Sequence, residues 1–366
     1  MKSKTNFSIK DTFSILSNIT PLVFSMAVCA GMGAFAGAVF ACIACLVSAV
    51  TEPKKQMPLY LSLLIITYTF KEFGASTLAL SMVICGIFLL IASFFFKKSE
   101  LNAENFINSP VVGGIMLSCA LTVTIIFTTD YFGIGATGNT AKEMISSYLS
   151  LGFHPNWRGV LYGTIVMVIM ITFPRKFKKA TKVISAAFIA LIVTTILNLF
   201  LNPSDMITAI REAGTFSFED YKNTLILPIF NSKPHILYSI FCGLSLFFTY
   251  SYLLLQNRFC NNSENISYGI TNRISASVLT AIIFFALQGF IARIPVHACA
   301  VVLIVGVWQS VKWSEVKKTF LSVWGILIFT IILILGLYRG FTWVPAYAFV
   351  LYRSYFALTS RDKYSV

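Results

Sequence analysis

Long apolar runs alternate with short polar connectors along the whole chain. A helix needs about 20 apolar residues to cross the hydrocarbon core, within a range of about 17–25. On that measure the pattern predicts spans near residues 14–32, 34–50, 57–70, 75–96, 109–129, 157–173, 181–201, 235–256, 272–292, 295–310, 318–337 and 340–357. Segments 57–70 and 295–310 are the shortest, and Gly31, Gly33 and Gly37 blur the border of the first two. The expected fold is all-α and polytopic, with about twelve transmembrane helices, because in lipid only a helix satisfies its own backbone within one segment.

Charge orients the spans. With the N-terminus inside and each span crossing once, inner segments hold 20 of the 28 Lys and Arg, including Lys54, Lys55, Lys97, Lys98, Arg175, Lys176, Lys178 and Lys179. Outer segments hold Lys71, Lys142, Arg158, Arg211, Lys222, Lys233, Arg293 and Arg339. Cytoplasmic loops carry the excess of cations, so both termini are expected in the cytoplasm and the number of spans is even. The basic start, with Lys2, Lys4 and Lys10, precedes an apolar run that continues into a second one. It reads as a permanent first span, not a cleaved signal. A bacterial cytoplasmic membrane is the expected location.

Composition agrees. The 366 residues are 57% hydrophobic and 11% charged, with mean hydropathy +0.79. A soluble domain carries roughly 25% charged residues, so no soluble domain of useful size is expected. The net charge of +14 lies in connectors and not on a readable basic face, which argues against nucleic acid as a partner. Cys42 and Cys45 form a CxxC that reads as two packing residues, and no disulfide framework is expected. His154, His235 and His297 are too far apart in sequence for a zinc site, and neither metal nor cofactor is expected. The longest outer connection, 202–234, holds Asp205, Glu212, Glu219 and Asp220 with Pro203, Pro228 and Pro234. It divides the chain into an N-terminal membrane half, 1–201, and a C-terminal half, 235–366. A second outer connection, 130–156, contains Gly133, Gly135 and Gly138 and then Lys142–Gly152, which has the pattern of an amphipathic surface helix.

Charges inside spans would mark function, but here they lie at span ends. Ser, Thr, Tyr and Asn within spans read first as interhelical hydrogen bonds. The segment Glu52-Pro53-Lys54-Lys55-Gln56-Met57-Pro58 opens a run of only about fourteen apolar residues, short for a span. A helix that starts within the membrane turns its positive dipole end toward an anion, and Pro58 suits a first helical turn. The competing reading is a tight turn followed by a tilted or kinked helix.

Three stretches resemble the SulP family of anion permeases. Phe106-Ile-Asn-Ser-Pro-Val-Val-Gly-Gly-Ile115 resembles the family's "sPpVVsGf" signature, which opens its fifth helix. Pro155-Asn-Trp157, with the apolar run up to Pro174-Arg175, resembles the sixth helix. Ile294-Pro295 through Gly306-Val-Trp308, followed by Lys312-Trp313, resembles the "iPlaaLaaiLivvgw" helix. The likeness covers roughly 75–200 and 272–357, and 18–60 more weakly. It implies a fold of seven helices plus seven inverted ones, with core and gate domains and half-helices three and ten around the substrate. It also implies transport of a small inorganic or carboxylate anion, sulfate-like, by movement of core against gate.

The sequence departs from the family pattern at three points. The chain ends at Val366 without a STAS domain, and counterparts of helices nine and ten are lacking between Asn257 and Asn272. In place of the acidic residue of proton-coupled relatives on helix eight stand Ser251, Tyr252 and Leu253. The expected fold is therefore a degenerate form of the inverted repeat. The resemblance places Ser25 and Met26, Pro58, Leu59 and Tyr60, and Thr249 and Ser251 around the substrate. The expected partners are a small anion and the lipid bilayer, and a homodimer is one assembly this allows. An envelope polysaccharide polymerase is a competing reading, weakened by an outer loop with few cations and no carboxylate pair. A transport-inactive relative is another. The primary expectation is a transporter and not an enzyme.

Overall fold

The computed structural model describes residues 7–47, 57–95, 110–138, 140–201, 222–259, 270–321, 323–339, 347 and 351. Most of the predicted linker and of the span near 340–357 lies outside these residues, as do the signature residues 106–109. The chain begins with α1 (Ile9–Cys29) and α2 (Ala34–Val47), followed by a long helical stretch, Met57–Phe95. Next come α5 (Pro110–Phe132), α6 (Ala141–Leu151), α7 (Trp157–Lys176) and α8 (Ala186–Leu201). The second half holds α9 (Leu227–Asn231), α10 (Ile236–Phe259), α11 (Ile270–Ala286), α12 (Gln288–Ile291), α13 (Val296–Ser310), α14 (Trp313–Thr319) and α15 (Val323–Arg339).

The stretch Met57–Phe95 is two helices, not one. Gly74 has φ 80° and ψ 176°, which no helix accommodates. Contacts with α10 show the chain doubling back there. Going down α10, Tyr238 stacks on Phe73 at 4.1 Å between centroids, and Cys242 Sγ accepts from Thr69 Oγ1 at 3.1 Å. Further down, Tyr250 meets Ser62. On the other limb the numbers rise instead. Ser239 Oγ donates to Thr77 O at 3.3 Å, Gly243 lies under Ser81 and Ile84, and Phe247 meets Phe88 at 5.8 Å. The limbs are therefore antiparallel, and we name them α3 (57–73) and α4 (75–95). This matches the two separate spans predicted near 57–70 and 75–96. A continuous apolar helix over Leu59–Ile91 would be long enough to cross the membrane by length alone, but the reversal at Gly74 rules that reading out.

Helix starts follow local chemistry. Ser8 caps α1 through Asp11 N, Thr140 caps α6 through Glu143 N, and Asn156 caps α7 through Gly159 N. Each side chain supplies an acceptor to an amide that has none within its helix. Within the spans, hydroxyls bond back to their own helix, as Thr69 to Ile65 O, Ser81 to Thr77 O, Thr194 to Ala190 O and Thr249 to Ser245 O. In hydrocarbon this is the nearest available acceptor. Two predicted spans are subdivided. The stretch 272–292 breaks at Leu287 between α11 and α12, and 318–337 begins only at Val323, after the separate α14.

The described helices pack as an all-α membrane bundle. α13 lies at its centre, against α1, α5, α7 and α8. α2 fills the space between α1 and α11, which run parallel, while α15 covers α5. α3 and α4 are tied mainly to α10. One end of the bundle carries α6 and the α1–α2 and α3–α4 turns; we call it the α6 end. Lys142 of α6 lies 5.4 Å from the ring of Tyr338 and fixes α6 to α15. The segment Lys142–Gly152 is helical as the amphipathic pattern predicts, with Ile145, Leu149 and Leu151 exposed.

Candidate functional site

α3 runs between α10 on one side and α5 and α13 on the other. Its first turn begins with amides that have no acceptor within the helix; Pro58 removes one of them, leaving those of Met57 and Leu59. Tyr60 is fully buried beside Cys119 of α5. Its hydroxyl lies over Gly306 of α13, where a methyl group would collide with it. Leu59 is half-buried against the main core. One turn on, Ser62 Oγ donates to Leu59 O at 2.9 Å and lies beside Tyr250. The pairing of Tyr250 with Ser62 sets Thr249 and Ser251 at the level of this first turn. Thr249 is buried, with its hydroxyl bonded to Ser245 O at 2.8 Å, and Ser251 is half-buried.

Pro58, Leu59, Tyr60, Thr249 and Ser251 thus share one level of the bundle. Ser25 and Met26 do not share it. Both are buried on α1, and Ser25 has the Cys299 thiol as its polar neighbour. Cys299 and Gly306 lie seven residues apart on α13, about 10 Å along the axis. Ser25 therefore meets α13 roughly two turns nearer the α6 end than Tyr60 does.

At the α6 end lies a second group that sequence reasoning missed. Asp130, in the last turn of α5, is half-buried and within electrostatic reach of Lys71, which is exposed in the last turn of α3. The thiols of Cys29 and Cys299 complete the group. His297 fixes one side of it. The ring is 1% exposed, and its Nδ1 donates to Asp130 O at 2.7 Å. That bond sets the neutral tautomer with the proton on Nδ1. The other nitrogen, Nε2, is buried without a partner against Gly159 and Gly133. The only trace of this in sequence is the pair of glycines that make room for the ring, on segments far from His297. Among the described residues no three His, Cys, Asp or Glu side chains gather at metal-binding spacing.

The bundle superposes on the transmembrane domain of the cyanobacterium bicarbonate transporter BicA with a TM-score of 0.60, covering 93% of this chain and 99% of that one. Its fold is that of the BicA transmembrane domain. Identity over the match is only 14%. SLC26A9 matches with a TM-score of 0.60 at 12% identity, over 97% of this chain and 65% of that longer one. No family model and no curated protein sequence matches the chain.

Proposed function

We propose that this chain is a secondary transporter that moves a small inorganic or carboxylate anion by alternating access. The observation that carries this reading is the match to the BicA transmembrane domain over nearly the full length of both chains. BicA is a bicarbonate transporter, so bicarbonate joins sulfate and dicarboxylates as candidate substrates. The first turn of α3 is the anion site in this reading. The positive end of a helix, with amides beyond its own hydrogen-bond ladder, is joined there by the hydroxyl-bearing neighbours Tyr60, Ser62, Thr249 and Ser251. Such a site binds through neutral donors, which favours an anion that must also be released. Ser25 and Met26 fall outside this cluster and belong to the wall nearer the α6 end.

In the same reading the α6 end faces outward, both termini lie in the cytoplasm of a bacterial cell, and the halves 1–201 and 235–366 are the two repeats. The link 260–269 between α10 and α11 has ten residues, far short of the roughly 40 that two more spans need. This supports a repeat that lacks counterparts of helices nine and ten and therefore one of two facing dipole ends. The absence of an acidic residue at Ser251, Tyr252 or Leu253 favours anion exchange over proton symport. The short link also favours a second reading, a relative that binds but no longer transports.

Proteoliposomes loaded with or without internal anion separate these readings. Saturable uptake of labelled sulfate, bicarbonate or a dicarboxylate, faster with internal anion, is the expected result. Folded protein that takes up none of the three supports the inactive relative and overturns the transporter.

A further inference from the structure

The connector from α7 to α8 gathers charge of one sign. Residues 175–182 hold Arg175, Lys176, Lys178, Lys179 and Lys182, five cations in eight residues, and no Asp or Glu occurs between Glu143 and Asp205. Arg175, Lys176, Lys178 and Lys179 are exposed. None of the four has an ion pair or a side-chain hydrogen bond among the described residues. Phe177 stands in their midst, 55% exposed.

This turn is built, not slack. At the end of α7, Phe177 N donates to Phe173 O at 2.9 Å, and the two rings pack at 5.2 Å. Thr181 then donates twice, from N to Phe177 O at 3.1 Å and from Oγ1 to Lys178 O at 3.0 Å. Ile184 N donates to Ala180 O at 2.9 Å. Ser17 of α1 fastens the far side, where its hydroxyl donates to Val183 O at 3.1 Å and accepts from Ser185 N at 3.2 Å.

The turn also sits at a defined depth. α7 has 20 residues, which is about 30 Å of helix and the thickness of the hydrocarbon core. Its exposed positions include Trp157, Leu161, Thr164, Val168, Ile171 and Arg175, spaced three or four apart. That spacing makes one stripe along the helix. It starts near α6 with a tryptophan, a side chain that favours the membrane interface, continues mostly apolar, and ends in a guanidinium. The cations therefore lie at headgroup level, at the end of a lipid-facing apolar stripe.

Two ordinary roles leave part of this unexplained. Cations in a last turn complement the helix dipole, which accounts for Arg175 and Lys176. An excess of cations orients a span, which a slack loop would do as well. Neither calls for Lys178 and Lys179 on an ordered turn, nor for an exposed phenylalanine between charges.

We propose that the α7–α8 turn binds the headgroup of an anionic phospholipid, with Arg175, Lys176, Lys178 and Lys179 around the phosphate and an acyl chain along the Val168–Ile171 stripe. The site is separate from the first turn of α3 and holds whether or not the chain transports. A lipid fits better than a soluble polyanion, because these charges come with an apolar stripe that a soluble anion cannot use. An ordered turn loses little freedom on binding. Through Ser17 the bound lipid steadies the corner of α7, α8 and α1.

Purified full-length protein in a nonionic detergent is titrated with dioleoyl phosphatidylglycerol, and retained lipid is counted by native mass spectrometry. Half-saturation is expected about tenfold lower than for dioleoyl phosphatidylcholine, which has the same chains and no net charge. Lys178→Gln/Lys179→Gln is expected to weaken phosphatidylglycerol binding about twentyfold, at roughly fivefold per cation near a headgroup. Arg175→Gln/Lys176→Gln should repeat that result, and it serves if the first variant does not fold. Lys222→Gln/Lys233→Gln, an equal loss of charge at other exposed positions, is expected to stay within about twofold of the parent. Glycerol 3-phosphate in about a hundredfold excess should leave the lipid bound, since it lacks acyl chains. Parental binding in either connector variant, once circular dichroism shows it folded, overturns the proposal. So does an equal loss in Lys222→Gln/Lys233→Gln, which would make the attraction one of net charge alone. Phosphatidylcholine binding as tightly also overturns it, as does displacement of the lipid by glycerol 3-phosphate, which would make this a site for a soluble phosphate.

Discussion

Helices α1, α2 and α11 and helices α3, α4 and α10 are two triplets of similar apolar composition held in different ways. The first is tied within itself by the Thr20–Cys45–Thr280 triangle, by Ser8 on Asn272 and by Phe24 against Phe284 at 5.1 Å, and to the start of α8 by Ser17, whose hydroxyl donates to Val183 O at 3.1 Å and accepts from Ser185 N at 3.2 Å. The second is tied within itself by Thr69 on Cys242 and Ser239 on Thr77, and meets its neighbours through apolar packing, with Tyr60, Leu61, Leu64 and Ile65 in the main core and Ala75 and Leu78 against the α1–α2 corner. Hydrophobicity alone therefore does not say whether two membrane helices are fixed to each other. Lipid is as apolar as a leucine side chain, so close packing and directed hydrogen bonds decide.

Six substitutions break or sharpen this contrast. The largest effect is expected where α7 meets α13, from Gly159→Ala. A methyl there falls on the His297 ring, which its bond to Asp130 O holds in place. Overpacking of this kind costs about 1–3 kcal/mol, and the variant should show the lowest melting temperature of the set. Gly74→Ala comes next. The site is open, with nothing within 4 Å, so only the backbone at φ 80° resists. Strain in this glycine-only region costs about 1–3 kcal/mol, read as a lower melting temperature with unchanged helical circular dichroism.

Thr280→Val removes one corner of the buried triangle, and a loss of about 1 kcal/mol is expected. An equal loss from Thr249→Val, whose hydroxyl bonds only within its own helix among the contacts described, would erase the distinction between the triplets. Gly306→Ala should cost least, below about 1 kcal/mol, because the new methyl meets only the tip of the Tyr60 side chain, on a helix that touches α13 at few other places. Tyr60→Phe should recover most of that loss when combined with it, as a double-mutant cycle in thermal unfolding would report. If Gly306→Ala proves as damaging as Gly159→Ala, α3 is clamped and the contrast fails.

Much of this architecture was legible in the sequence. The alternation of apolar runs and basic connectors places α1, α2, α5, α7, α8 and α10 within a few residues of where they lie. Lys71 and Glu72, set between two apolar runs, mark the reversal at Gly74. Motif order around Pro110, Trp157 and Pro295 points to the fold that the BicA transmembrane domain shares. Depth and rotation were not legible. Ser25 and Tyr60 both fall on helices expected to meet the substrate, yet they contact α13 two turns apart, because a run of apolar letters does not state where neighbouring helices cross. His297 was equally hidden. Its burial depends on Gly133 and Gly159, more than a hundred residues away in the chain, and one sequence does not reveal that partnership. The break at Leu287 is marked in sequence only by Gln288 and Gly289, which follow it directly and were absorbed into one apolar run.

The hydroxyls that bond back to their own helices have an evolutionary consequence. Ser81, Thr129, Thr194, Thr195 and Thr249 each bond to a carbonyl within one turn of their own helix. A helix furnished this way asks its neighbour for a surface of the right size, not for a matching chemical group. Substitutions can then accumulate one at a time without a compensating change across the contact. A shared architecture at 14% identity is what such undemanding neighbours permit, since the shape of the bundle then depends on sizes and not on particular letters.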